Sequence, residues 1–136
     1  MKERYGWKDD NENEIKKIII IKVDNKYLSS FTYLYKFKTS GIHMVQYSFK
    51  NKLSNTNYLF SSYDHITKKD FSNFHSESLK RMNSMFAICK ALTHLNLSNF
   101  NTDKVIDLDY DYIFTRCDSL KTKNVITKNI KILKCL

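Results

Sequence analysis

A chain of 136 residues, 42% of them hydrophobic, has the length of one domain and enough apolar material for a core, which excludes global disorder. The net charge of +9 comes from 23 basic residues, 20 of them Lys scattered along the chain, and no RNP, zinc-finger or helix-turn-helix pattern accompanies it. With no Pro and only Gly6 and Gly41, turns must be built from Asn, Asp and Ser.

Residues 1–15 are polar and read as a flexible tail. Asp9, Asp10, Glu12 and Glu14 crowd together there, but without the ligand spacing and turn glycine of a calcium loop. The start carries no apolar h-region, so no secretory signal is read and the expected location is cytoplasmic. The longest apolar run, Ile18–Ile21, is far too short to span a membrane.

Residues 16–50 hold three runs rich in β-branched and aromatic residues: Ile18–Val23, Phe31–Phe37 and Ile42–Phe49. Turn-like Asp24-Asn25 and Thr39-Ser40-Gly41 separate them. They are expected to form a β-rich N-terminal cap, since an open end of a stacked array would present bare strand edges.

From residue 51 onward the sequence repeats. Leu53, Leu79 and Val105 are spaced 26 and 26; Phe60, Phe86 and Phe114 are spaced 26 and 28. Ile66, Leu92 and Leu120 follow 26 and 28, as do Phe71, Leu97 and Val125. Two extra residues enter the third unit near Asp109-Tyr110. Within a unit, Met82, Met85, Phe86 and Cys89 fall at i, i+3, i+4 and i+7, which predicts a short helix. Leu92-Thr-His-Leu95-Asn-Leu97 ends in strict alternation, which predicts a half-buried strand. The expected fold class is therefore an α/β solenoid, a short leucine-rich-repeat stack of about two and a half units over residues 51–136. A parallel sheet would line one side and short helical turns the other. Ile130–Leu136 is expected to dock as a C-terminal strand.

The repeat resembles that of the BspA-like leucine-rich-repeat surface proteins, roughly MFxxCxxLxxLDLSxFxTxxVxxM. The matching residues are Met85-Phe86, Cys89, Leu92, Leu95, Asn96-Leu97-Ser98, Phe100, Thr102, Val105 and Leu108. An earlier unit matches through Phe60, Ile66, Asp70-Phe71-Ser72, Phe74, Ser76, Leu79 and Met82. Tyr63 stands where the first Cys belongs, and Lys69 and Lys123 stand where strand leucines belong. The resemblance implies a non-enzymatic binding or adhesion module, at a cell surface if an export signal lies outside this sequence.

The outward strand positions form two polar columns: Lys68, His94 and Thr122, and Asp70, Asn96 and Asn124. These six are the expected binding residues, for a protein partner not identified by the sequence. Binding of nucleic acid or an anionic surface is the lesser reading, resting on charge alone. A fragment of a longer array without autonomous function is the third, and self-association through an open end goes with it. Cys89 and Cys117 occupy equivalent positions, close enough for a disulfide, but read as buried thiols in a small core site. His43, His65, His75 and His94 form no metal or triad spacing, so no metal, cofactor or catalytic residue is expected.

Overall fold

A computed structural model describes residues 12–32, 35–105 and 112–136. The chain divides into two compact units, one spanning residues 10–51 and the other built on residues 52–136.

The first unit opens with helix α1, Glu12–Ile18, whose last turn carries Lys16 and Lys17, the sign that favours the negative end of a helix dipole. Ile15 and Ile18 lie three apart on one helical face and are buried. The chain passes directly into β1, Ile19–Val23. Asp24 and Asn25 then both adopt positive φ, 48° and 67°, the pair of conformations a two-residue hairpin turn requires. Strand β2, Lys26–Tyr27, returns along β1, and β3, Val45–Phe49, pairs on its other side, giving an antiparallel sheet of order β2-β1-β3. Asp24 accepts hydrogen bonds from the Met44 N–H at 2.9 Å and from the His43 ring at 2.7 Å, tying the turn to the start of β3.

Three expectations for this region need correction. Residues 12–15 are helical rather than a tail, and residues 1–11 lie outside the described residues. The run Phe31–Phe37 forms no strand at Phe31, Thr32 or Tyr35–Phe37, with Tyr33 and Leu34 outside the described residues. The last strand begins at Val45, not Ile42, which is fully exposed.

The second unit carries a parallel sheet of order β4-β5-β6, from Lys68–Asp70, His94–Leu97 and Val125–Thr127. The register aligns Lys68 with His94, Lys69 with Leu95 and Asp70 with Asn96, the 26-residue spacing of the sequence. On the other side Leu95 aligns with Val125, Asn96 with Ile126 and Leu97 with Thr127. The buried side chains include Met82, Met85, Phe86, Leu92, Leu95 and Leu97, with Ile113, Leu120 and Val125 beside them.

The expected α/β solenoid, with its leucine-rich-repeat helical turns, is not what forms. The described residues make two separate three-stranded sheets, one antiparallel and one parallel, with only two short helices, α1 and α2 (Ile130–Leu133). Residues 83–88 are a run of tight turns. The reason is local. Ser84 and Ile88 sit at φ 52° and 61°, as Tyr58 and Ser62 do one unit earlier, and left-handed residues end any helix. The freed N–H groups find partners in the neighbouring unit instead. Tyr58, Phe60 and Ser62 donate to Asn83, Met85 and Ala87, and Phe86 and Ile88 donate to Ile113 and Thr115. Consecutive turns and a helix share apolar positions at i, i+3, i+4 and i+7, so the pattern alone did not separate them. Ile130–Leu136 also departs from the expected strand. Asn129 accepts from the Lys131 N–H at 2.9 Å and caps α2, burying Ile132.

Arg116, the third-unit counterpart of Ser62 and Ile88, holds φ at 57° with an exposed side chain. A left-handed L-residue costs about 1–2 kcal/mol, part of which glycine returns through greater unfolded-state freedom. Arg116→Gly should therefore raise stability by about 0.5–1 kcal/mol in urea unfolding, and Arg116→Val should lower it.

Candidate functional site

The outer face of the parallel sheet brings four of the six expected residues together. Lys68 and His94 stand side by side and exposed; one step further along, exposed Asp70 stands beside half-buried Asn96. Thr67 O accepts from both the Thr93 and His94 N–H groups, at 2.8 and 3.2 Å, which anchors the start of β5 against the preceding strand. Thr93 Oγ1 lies 3.0 Å from His94 Nδ1 and orients the imidazole.

Asp70 and Asn96 have a second task. Asp70 accepts from the Ser72 N–H at 2.8 Å, and Asn96 from the Ser98 N–H at 3.1 Å, so each closes the turn after its own strand. The Ser72 N–H, then its hydroxyl, with the Asn96 amide adding to them, hold the Asp70 carboxyl below the usual carboxylate value. The repeated Asp/Asn-x-Ser spacing in the sequence was the available signal for this role.

The third unit does not join the columns as expected. Thr122 and Asn124 fall in a short 3-10 turn, Thr122–Asn124, ahead of β6. The register puts Ile126, 60% exposed, beside Asn96 where Asn124 was expected. The turn-closing acceptor of this unit is Thr127, whose hydroxyl takes the Asn129 N–H at 3.1 Å. Spacing by motif misjudged the unit because the 3-10 turn absorbs residues before pairing begins. The two extra residues near Asp109-Tyr110 lie outside the described residues.

Past the strand ends the polar face runs into an open groove of about 1040 Å³, lined among others by Asn73, His75, Asn99, Asp103, Lys128 and Asn129. Its walls are cross-linked between units: Asn99 Nδ2 donates to Ser72 O, Asn101 N to Ser76 Oγ at 2.7 Å, and Asn129 Nδ2 to Thr102 Oγ1.

The family model that matches this chain is described as "Mycoplasma protein of unknown function, DUF285" and covers residues 28–132, more than half of the sequence. The chain belongs to this family. No curated protein and no solved structure matches it. Among the described residues of this family member, no helix is long and apolar enough to cross a membrane.

Beneath the polar face lies a group that the choice of site residues missed. Lys69 aligns with the buried Leu95, so its side chain turns inward. Its ammonium lies 4.4 Å from the centre of the Phe60 ring, 4.5 Å from Tyr63 and 5.9 Å from Phe86. Burial drives its pKa down to about 8. Cys89 and Cys117 are buried, unbridged thiols at equivalent positions of adjacent units. Each sulfur also lies 3.0 Å from a phenylalanine carbonyl oxygen, Cys89 from Phe60 O and Cys117 from Phe86 O. The neighbouring Cys117 thiol lowers Cys89 to about 7, with help from the Lys69 charge, and Cys89 in turn pushes Cys117 up. The lysine at a strand position that calls for leucine was the legible signal.

Proposed function

We propose that this chain is a non-catalytic protein-interaction or adhesion module of the BspA-like kind, which engages a protein partner through the outer face of its parallel sheet. The carrying observation is the side-by-side presentation of Lys68 and His94, with exposed Ile126 next to Asn96. An apolar side chain inside a polar, hydrogen-bonding rim is the anatomy of a protein interface. Asp70 and Asn96, already engaged in turns, act mainly by holding this surface in shape. The motif resemblance over residues 53–125 supports the adhesion reading, since membership of the family carries no assigned activity. Thr122 and Asn124 belong to the neighbouring turn and are secondary contacts at most.

The test is binding of the purified chain to an array of immobilised extracellular-matrix and soluble proteins, at low and high salt. A partner is expected whose affinity falls at least about tenfold with His94→Ala plus Ile126→Asp, an interface hot-spot loss of about 1.4 kcal/mol or more. His94→Ala alone should change stability by less than about 0.5 kcal/mol, as an exposed site does. Binding that ignores these substitutions and collapses with a steep salt slope would replace this reading with nucleic-acid or anionic-surface binding.

A further inference from the structure

Five of the nine exposed large hydrophobic side chains among the described residues fall between residues 27 and 44: Tyr27, Tyr35, Phe37, Ile42 and Met44. They gather at the turn end of the antiparallel sheet. Met44 is joined there to Asp24 through the Asp24 N–H, which donates to Met44 O at 2.9 Å. Tyr27 and Gln46 both lie across from Lys22, and strand alternation puts Met44 on the face of Gln46. Phe37 stacks on the His43 ring with centroids 4.3 Å apart, and Tyr35 meets Phe37 edge-on at 5.0 Å. Gly41, at φ 124°, turns the chain where an added Cβ would meet nothing within 4 Å, and the next residue is the fully exposed Ile42. The His43 ring fixes this loop, reaching the Asp24 carboxylate at 2.7 Å and Thr39 O at 2.9 Å.

The same end is strongly basic. From residue 16 to residue 51, Asp24 is the one carboxylate against seven lysines. Lys26, Lys36 and Lys38 are exposed, and the Lys22 ammonium lies 4.5 Å from the centre of the Tyr27 ring. The Asp24 charge is itself offset. Carbonyl and carboxylate oxygens only accept, so both ring nitrogens of His43 donate and the ring is held as a cation. Its bonds to Asp24 and then to Thr39 raise its pKa accordingly.

We propose that this end of the first unit docks on a bilayer surface rich in anionic headgroups. Ile42 and Met44 enter the boundary between headgroups and acyl chains, while Lys22, Lys26, Lys36 and Lys38 meet the phosphates. Charge complementarity selects a bilayer over a protein. Lysine is depleted at protein interfaces, whose apolar core is closed. Here apolar and cationic side chains alternate, as in Tyr35-Lys36-Phe37-Lys38. Tyrosine, with an apolar ring and a polar tip, suits the interfacial layer. Apolar burial and lysine attraction act together, and neither alone anchors a protein firmly. Docking through residues 22–44 is independent of the sheet face proposed for protein binding.

The experiment is co-sedimentation of the full chain with vesicles of phosphatidylcholine, alone or with about one third phosphatidylglycerol, at about 0.1 M and 0.5 M salt. Binding to the mixed vesicles should be at least about tenfold tighter than to the neutral ones. Part of it should survive high salt, because apolar burial is not screened. Ile42→Ser with Met44→Ser should weaken it about tenfold, and Lys36→Ala with Lys38→Ala about as much. His94→Ala plus Ile126→Asp, which alters the sheet face, should leave it unchanged. Circular dichroism checks each variant's fold. Hydrogen exchange on the wild type gives a reading free of mutation: vesicles should add protection between residues 24 and 44. No sedimentation with mixed vesicles, equal binding to both kinds, or added protection elsewhere in the chain would each overturn the proposal. So would binding that vanishes at high salt and ignores the Ile42 and Met44 substitutions. A protein partner held through these residues by a chain that ignores vesicles would assign this end to that partner instead.

Discussion

Phe86→Ala should lower the unfolding free energy by about 3–5 kcal/mol, the range for removing a large aromatic side chain from a well-packed core. Phe86 has no exposed surface. Its ring stacks nearly parallel on Phe60 and Phe114, at 9° and 15°, and meets the edge of Phe71 at a centroid distance of 5.4 Å. Each aromatic contact adds about 0.5–1.5 kcal/mol beyond burial, so the loss should fall in the upper half of that range. Collapse of the cavity is also restricted. The Phe86 N–H is bonded to Ile113 O at 3.2 Å and its carbonyl to the Cys117 thiol, so the backbone cannot settle inward without breaking contacts to the next unit. Urea unfolding followed by circular dichroism measures the effect. A loss below about 0.5 kcal/mol, the size typical of surface positions, would mean that the aromatic column carries no weight.

Lys69→Leu should remove a pH dependence and gain stability at neutral pH. The folded pKa of Lys69 is about 8, against an ordinary value of 10.5. Between those values the unfolded chain holds a proton that the folded chain has lost, so wild-type stability rises as pH increases from 8 to 10.5. Below pH 8 both states are protonated and the full penalty of enclosing the ammonium is present. The shift corresponds to about 3 kcal/mol, reduced to about 2 because the side chain is only half-buried. The ring contacts with Phe60 and Tyr63 return about 1–2 kcal/mol to the charged form. At pH 7 the leucine variant should therefore be more stable by about 1 kcal/mol, with its own apolar burial added. The difference between wild type and variant should shrink or reverse as pH rises; Tyr ionisations common to both cancel in that difference, while the Cys89 ionisation, which the Lys69 charge assists, differs between them. A flat difference across this interval would show that the ammonium reaches water freely.

The repeat spacing was legible because hydrogen-bonded neighbours need equivalent residues at equivalent positions. Leu92, Leu95 and Leu97 point inward and His94 and Asn96 outward, as period-two alternation demands, and Asp24-Asn25 made the turn its composition suggested. Lys68 and His94, and Asp70 and Asn96, could be paired from the sequence because the first two units have the same length.

The rest depended on where backbone hydrogen bonds find partners, which residue types do not specify. Met82–Cys89 carries a helical spacing, yet its Asn83, Phe86 and Ile88 N–H groups bond across to neighbouring units, and left-handed Ser84 and Ile88 make that possible. Ile130–Leu133 had the composition of a strand and became a capped helix, since an Asn129 side chain was positioned to satisfy the free Lys131 N–H of its first turn. Ile126 reached the sheet face in place of Asn124 only because a 3-10 turn shortened the path into β6. Sequence by itself thus determined the periodicity and the inward and outward faces of the first two strands. Tertiary structure alone decided turns over helix, the register of the third strand, and the placing of the Lys69 charge near Cys89 and Cys117, because each rests on pairing between segments twenty or more residues apart.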